Sequence, residues 1–174
     1  MESERNKYAR DDFPPSKLEK NPATGMYKDI PARVRELYSQ NCFMKDFFHV
    51  NIDYIRCGEC QVSLFIEHAK HSNHRNVVHG GVLAALADSV LGVTGASVGE
   101  KVVTVNFSMN YIRNIDFGDT ARMTGRVAGR NGDIMTITGE MYDSEDRLMA
   151  TLVTTMMCVG KFEGIPEKWE STSK

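Results

Sequence analysis

Residues 82–97 read VLAALADSVLGVTGAS, a stretch crowded with Ala, Leu, Val and Gly and broken by one charge, Asp88. A helix apolar nearly all round is one that is buried, and small residues let its surroundings come close. The rest of the chain therefore has to wrap a helix. From Lys101 onward the pattern is that of strands. Residues 101–113 alternate Val103, Val105, Phe107, Met109 and Tyr111 on one face with Thr104, Asn106, Ser108 and Asn110 on the other. A turn at 116–119 (DFGD) precedes strands at 120–129, 133–142 and 148–159, which are separated by the turn formers of 130–132 and 143–147.

Ahead of the helix, residues 47–68 read as two strands around Cys57 to Cys60, with Val62, Leu64 and Ile66 alternating against Gln61, Ser63, Phe65 and Glu67. That CxxC is half of a zinc site, a redox pair, or a hairpin turn with incidental cysteines; no second CxxC accompanies it, and the flanking strands favour the turn. Residues 30–41, IPARVRELYSQN, form a short amphipathic helix with Pro31 in its first turn and Val34, Leu37 and Tyr38 on one face. Residues 1–30 are polar and aperiodic, and the tail from Lys161 carries no structure signals.

The order is helix, two strands, one long helix, four strands. Consecutive hairpins would make the last four an antiparallel meander, its apolar face against the helix. The predicted class is α+β: a hotdog fold, a curled antiparallel sheet of about six strands wrapped around one central helix. An arm and short helix (1–45) precede the hotdog domain (46–161), and a polar tail (162–174) follows it. At 174 residues one core is expected. A net charge of -2 sets no global field for nucleic acid, and no apolar run of spanning length or secretory signal is evident. A cytoplasmic protein without nucleic-acid or membrane partners is expected.

Within this frame Asp88 stands out. Its i±3 and i±4 neighbours are Ala84, Ala85, Leu91 and Gly92, so no basic residue on the helix neutralises it. It either serves chemistry, reaches a water-lined seam or hydrogen-bonds a neighbouring backbone. His79-Gly80-Gly81 stands where the helix begins. Free N–H groups at a helix N-terminus favour developing negative charge, which is the physics of an oxyanion hole, although two glycines also make a tight turn. Gly80 and Asp88 are eight residues apart, about 12 Å along a helix. If both act on one carbonyl they come from different subunits, as in a two-fold dimer with the helices antiparallel.

Asn73, His79-Gly80-Gly81, and Asp88 closing a Leu86-Ala87-Asp88 triplet together resemble the PaaI-like, phenylacetyl-CoA type of hotdog thioesterase, over about residues 47–159. The resemblance implies hydrolysis of an acyl-CoA thioester by a homodimer, assembled as a dimer of dimers (a homotetramer), with no cofactor and no metal. It places the oxyanion donor on the Gly80 N–H, helped by Asn73. Asp88 becomes the base or the nucleophile, Thr104 the hydroxyl that orients water, and His79 a flanking group. Relatives with glycine at the position of Asn76 leave open which of Asn73 and Asn76 presents the amide. For the CoA the resemblance favours Arg113 and Asn114, beside Gly81 and Asn76, while Arg75, Arg130 and Lys101 are further cations within the site's expected reach. His68, His71, His74 and His79 match no tight metal-ligand spacing. Two rivals share the scaffold: a CoA or acyl-CoA binding protein without turnover, and an acyl-thioester dehydratase or hydratase using His79 with an acid.

Overall fold

Asp29 starts the first helix, α1 (Ile30–Tyr38), by accepting the Ala32 N–H on its carboxylate at 2.9 Å. Pro31 occupies the first turn, where its missing N–H has no helical partner to lose. Ile30, Val34 and Leu37 form the buried face. Arg35 donates to the carbonyls of Ile52 and Asp53, tying α1 to the next strand. The computed structural model describes residues 13–171; the start of the predicted arm (1–12) and the end of the predicted tail (172–174) lie outside them.

A turn of π-helix (Phe43–Phe47) leads into β1 (Asn51–Arg56) and β2 (Glu59–Phe65), an antiparallel hairpin turning at Cys57 and Gly58. Gly58 takes φ +74°, a left-handed value that glycine adopts without strain. Its two flanking cysteines part company. Cys60 is fully buried, and burial pushes its thiol up to about 12, whereas the Cys57 thiol faces the Glu167 carbonyl at 3.4 Å. The short helix α2 (His68–His71) and a loop then deliver the chain to the long helix α3 (Gly80–Ser97). Four strands follow: β3 (Glu100–Tyr111), β4 (Thr120–Asn131), β5 (Ile134–Tyr142) and β6 (Leu148–Lys161).

All six strands join one antiparallel sheet in the order β1-β2-β4-β5-β6-β3. The expected meander of four is thus a meander of three. β3 pairs with β6 at the far edge, and β4 returns to pair with β2. The reason is the 112–119 connection, which is no hairpin turn. It buries Ile115 and is pinned to the end of β2 by Gly118 N–H to the Ile66 carbonyl (2.8 Å) and Ile66 N–H to the Asp119 carbonyl (2.8 Å). Eight residues reach comfortably across three strand spacings of about 4.8 Å.

The curled sheet packs Val62, Leu64, Met123, Ile137, Met141 and Leu152 against Leu83, Leu86, Val90 and Leu91 of α3. Each fully buried side chain of this kind contributes roughly 1.5–3 kcal/mol. By length and composition α3 is apolar enough to cross a membrane; here it is the helix the sheet wraps. The tail, read as devoid of structure signals, is anchored along this core. Ile165 is buried, the Trp169 indole N–H donates to the Ser97 carbonyl at 2.7 Å, and the Gly164 carbonyl accepts the Tyr27 N–H at 2.9 Å.

Candidate active site

Helix α3 is apolar all round but not buried all round. Gly81 and Asp88 are exposed and Ala84 and Ala85 half-buried, a stripe at i, i+3, i+4, i+7 that neither the sheet nor α1 covers. The premise that Asp88 is buried within its own chain is therefore corrected. Its carboxylate Oδ1 accepts a hydrogen bond from the Thr104 hydroxyl at 2.9 Å. Strict alternation would put Thr104 on the outer face of β3. The register instead runs Thr104↔Met156, Asn106↔Thr155, Phe107↔Thr154, so Val105 is an extra residue in the strand. This β-bulge turns Thr104 inward, onto the same face as Phe107, Met109 and Tyr111.

At the N-terminus of α3 the cap is His79, whose Nδ1 accepts the Gly81 N–H at 2.9 Å. The proton of that imidazole therefore belongs on Nε2. The His79 N–H donates to the His71 carbonyl at 2.8 Å, and Val82 N–H donates to the His79 carbonyl at 2.9 Å. Between them the Gly80 N–H has no partner among the described residues. It points from the positive end of the helix, where an anionic oxygen is favoured. The Gly80 carbonyl accepts the Tyr111 hydroxyl at 2.9 Å.

The preceding loop is built by Asn73. Its Oδ1 accepts the N–H groups of Arg75 (2.8 Å) and Val77 (3.4 Å), and its own N–H donates to the Val77 carbonyl at 2.9 Å. The oxygen end of this amide folds the loop, leaving the NH₂ end without a partner among the described residues. Asn76 sits at the exposed tip with φ +58°, a conformation glycine or asparagine tolerates, and its Oδ1 meets the His68 ring. His71 is buried with Nδ1 accepting the Glu67 N–H at 2.9 Å, and burial lowers its pKa. Among the described residues no group of three His, Cys, Asp or Glu side chains gathers as a metal site would require.

The expected CoA cations divide between the two ends of β3. Arg113, two residues beyond Tyr111, and Arg75, in the Asn73 loop, lie at the Gly80 end; Arg113 also donates to the Leu148 carbonyl at 2.9 Å. Arg130 pairs with the buried Glu100, and Lys101 lies over the Phe162 ring at 5.6 Å, both at the opposite end of the strand. The sequence reading missed Tyr111 as a site residue. Its place in the alternating pattern marked it as core, and only the contact with Gly80 shows otherwise.

A curled antiparallel sheet of six strands around one long helix defines a hotdog fold, here with an open N–H at the helix start and an acid on its free face. Residues 75–150 match the model of the Thioesterase superfamily, so the stretch holding Gly80, Asp88, Thr104 and Arg113 carries that family's sequence pattern. The chain is 21% identical over 139 residues to a protein of Archaeoglobus fulgidus described as "Putative esterase", covering 80% of this chain and 90% of the relative. The E. coli PaaI protein from the phenylacetic acid degradation operon superposes with a TM-score of 0.71 at 18% identity, over 77% of this chain and 99% of that one. A hypothetical thioesterase of Streptococcus pneumoniae, solved with coenzyme A, superposes with a TM-score of 0.64 at 23% identity, over 67% and 94%. The comparisons support a hydrolase.

Proposed function

We propose that the chain hydrolyses acyl-CoA thioesters as a homodimer. The unpartnered Gly80 N–H carries this reading. The thioester carbonyl oxygen accepts from it, with the free NH₂ of Asn73 assigned as a second donor, and negative charge developing on that oxygen is stabilised without reorganisation. Asp88 of the partner subunit takes a proton from water, whose oxygen attacks the carbonyl carbon. The tetrahedral intermediate collapses with cleavage of the C–S bond, and the proton passes to the departing thiolate, giving acid and CoA. Direct attack by the same carboxylate, through a mixed anhydride that water then cleaves, uses the same residues. The Thr104 hydroxyl occupies one carboxylate oxygen of Asp88 and leaves the other for the water or the carbon.

Two observations support the dimer. Gly80 and Asp88 lie on one helix, eight residues or about 12 Å apart, too far for one small group. β3 is an unpaired edge strand with Val105 exposed, and the open stripe of α3 runs beside it; an edge of that length calls for a partner strand. A second copy of β3, antiparallel across a two-fold axis, continues the sheet and brings each Gly80 toward the other chain's Asp88. Structures of the S. pneumoniae neighbour include an aspartate-to-alanine and a threonine-to-alanine variant, at positions sixteen residues apart. Asp88 and Thr104 have the same types and spacing. Arg113, Asn114 and Arg75, at the Gly80 end, are assigned to the CoA phosphates. The dehydratase alternative is disfavoured because His79 spends Nδ1 on its own helix.

Thiol release from a panel of acyl-CoAs tests the activity, and complementation tests the dimer. Gly80→Pro replaces the proposed donor N–H with a ring carbon while keeping the backbone, since proline suits the first helical position and His79 already has the extended ψ of 127° that a following proline demands. Co-expressed Gly80→Pro and Asp88→Asn chains, each inactive alone, regain about a quarter of wild-type turnover if the site is shared between subunits. No recovery by mixed dimers would sink the shared site. No thiol release from any acyl-CoA, with tight CoA binding retained, would make the protein a binder.

A further inference from the structure

Glycine has little intrinsic preference for one backbone conformation, so an oxyanion donor on Gly80 needs something else to aim it. The peptide joining Gly80 to Gly81 is held at both ends. Its N–H donates to His79 Nδ1 and its carbonyl accepts the Tyr111 hydroxyl, each at 2.9 Å. The Tyr111 ring also lies along the Cα of Gly80, 3.6 Å from where a Cβ would stand. Tyr111 is the last residue of β3, and the bulge at Val105 brings Thr104 onto the same helix-facing side. A single strand thus touches both halves of the chemistry, Thr104 at Asp88 and Tyr111 at Gly80.

Resting on the function proposed above, we propose that Tyr111 is a positioning residue for the oxyanion donor. Its hydroxyl locks the Gly80–Gly81 peptide, and its ring closes the Cα side of Gly80. The preceding peptide, which carries the free Gly80 N–H, is held through its own carbonyl by the Val82 N–H, so with both peptides that meet at Gly80 fixed the N–H is set before substrate arrives. Such preorganisation acts on the transition state more than on ground-state binding, because the charge it meets appears only as the carbonyl is attacked.

The test is Tyr111→Phe in the full-length protein, which keeps the ring and removes the hydroxyl. Loss of one hydrogen bond predicts a fall in kcat of about three- to tenfold with KM within about twofold. Independently of turnover, hydrogen exchange of the hydrogen-bonded amides at 81–84 should quicken several-fold, while Tyr142→Phe, on the outer sheet face, changes neither. Unaltered exchange in Tyr111→Phe overturns the clamp. So does wild-type kcat in the variant, or a loss lying wholly in KM. Wild-type protein that releases no thiol defeats the proposed hydrolysis instead, and the exchange measurement still decides the clamp.

Discussion

From Gly80 to Asp88, α3 keeps one face open and one N–H unpaired; from Val90 to Ser97 the same helix is closed by the sheet, α1 and the tail. Glycines in the two halves do opposite work. Gly92 and Gly95 stand in the packed half. A Cβ at Gly92 would lie 2.5 Å from the Tyr38 hydroxyl, and one at Gly95 2.7 Å from a Val102 methyl, so both are glycine because protein fills the space. At Gly80 a Cβ meets only ordinary contact distance to Tyr111, so packing within the chain does not demand glycine there. One half of the helix holds the domain together, and the other is kept bare for something outside the chain.

That contrast breaks first at Asp88. Asp88→Asn removes the acid without changing its shape, and turnover should fall about 10²- to 10⁴-fold while the melting temperature stays put, because the side chain is exposed. A variant as active as wild type would end the catalytic assignment. Gly80→Pro should cost about 10²- to 10³-fold in kcat, the effect of deleting one oxyanion donor, again with little change in thermal stability. In the packed half the signs reverse. Gly95→Ala pushes a methyl against Val102 and should destabilise by about 1–3 kcal/mol, read as a melting temperature lower by several degrees, with kcat per folded molecule retained. A Gly95→Ala protein as stable as wild type would show that β3 yields at that point. The smallest effect is Thr104→Ala. It removes one hydrogen bond to an exposed carboxylate and should lower kcat by about two- to tenfold; a loss as large as that of Asp88→Asn would mean Thr104 does more than orient.

Much of the fold was legible because it is written in local period. The two-residue alternation of β4, β5 and β6 and the unbroken apolar run of α3 each survive in any tertiary setting that buries one face. The strand order was not legible. Alternation marks a strand without naming its neighbour, and the return of β4 to β2 depends on bonds between Ile66 and the 112–119 segment that no local pattern announces. The bulge at Val105 was equally hidden, since an extra residue is defined only against β6. Reading β3 as regular put Thr104 on the wrong face while its assignment beside Asp88 stood on resemblance. The tail was misread because Ile165 and Trp169 are isolated apolar residues, without a period, that find their pockets only once β1, β2 and the end of α3 are assembled.

By itself, the order of residues determined that one small-residue helix would be wrapped by antiparallel strands, and that an HGG turn and an acid would sit eight residues apart on it. Helical rise alone then separates Gly80 from Asp88. Tertiary structure decided which face of that helix stays open, because only packing shows that the sheet and α1 stop short of Gly81, Ala84, Ala85 and Asp88. It also decided that Thr104 and Tyr111 meet the helix, because side-chain direction along a strand follows register, and register is a property of two strands together.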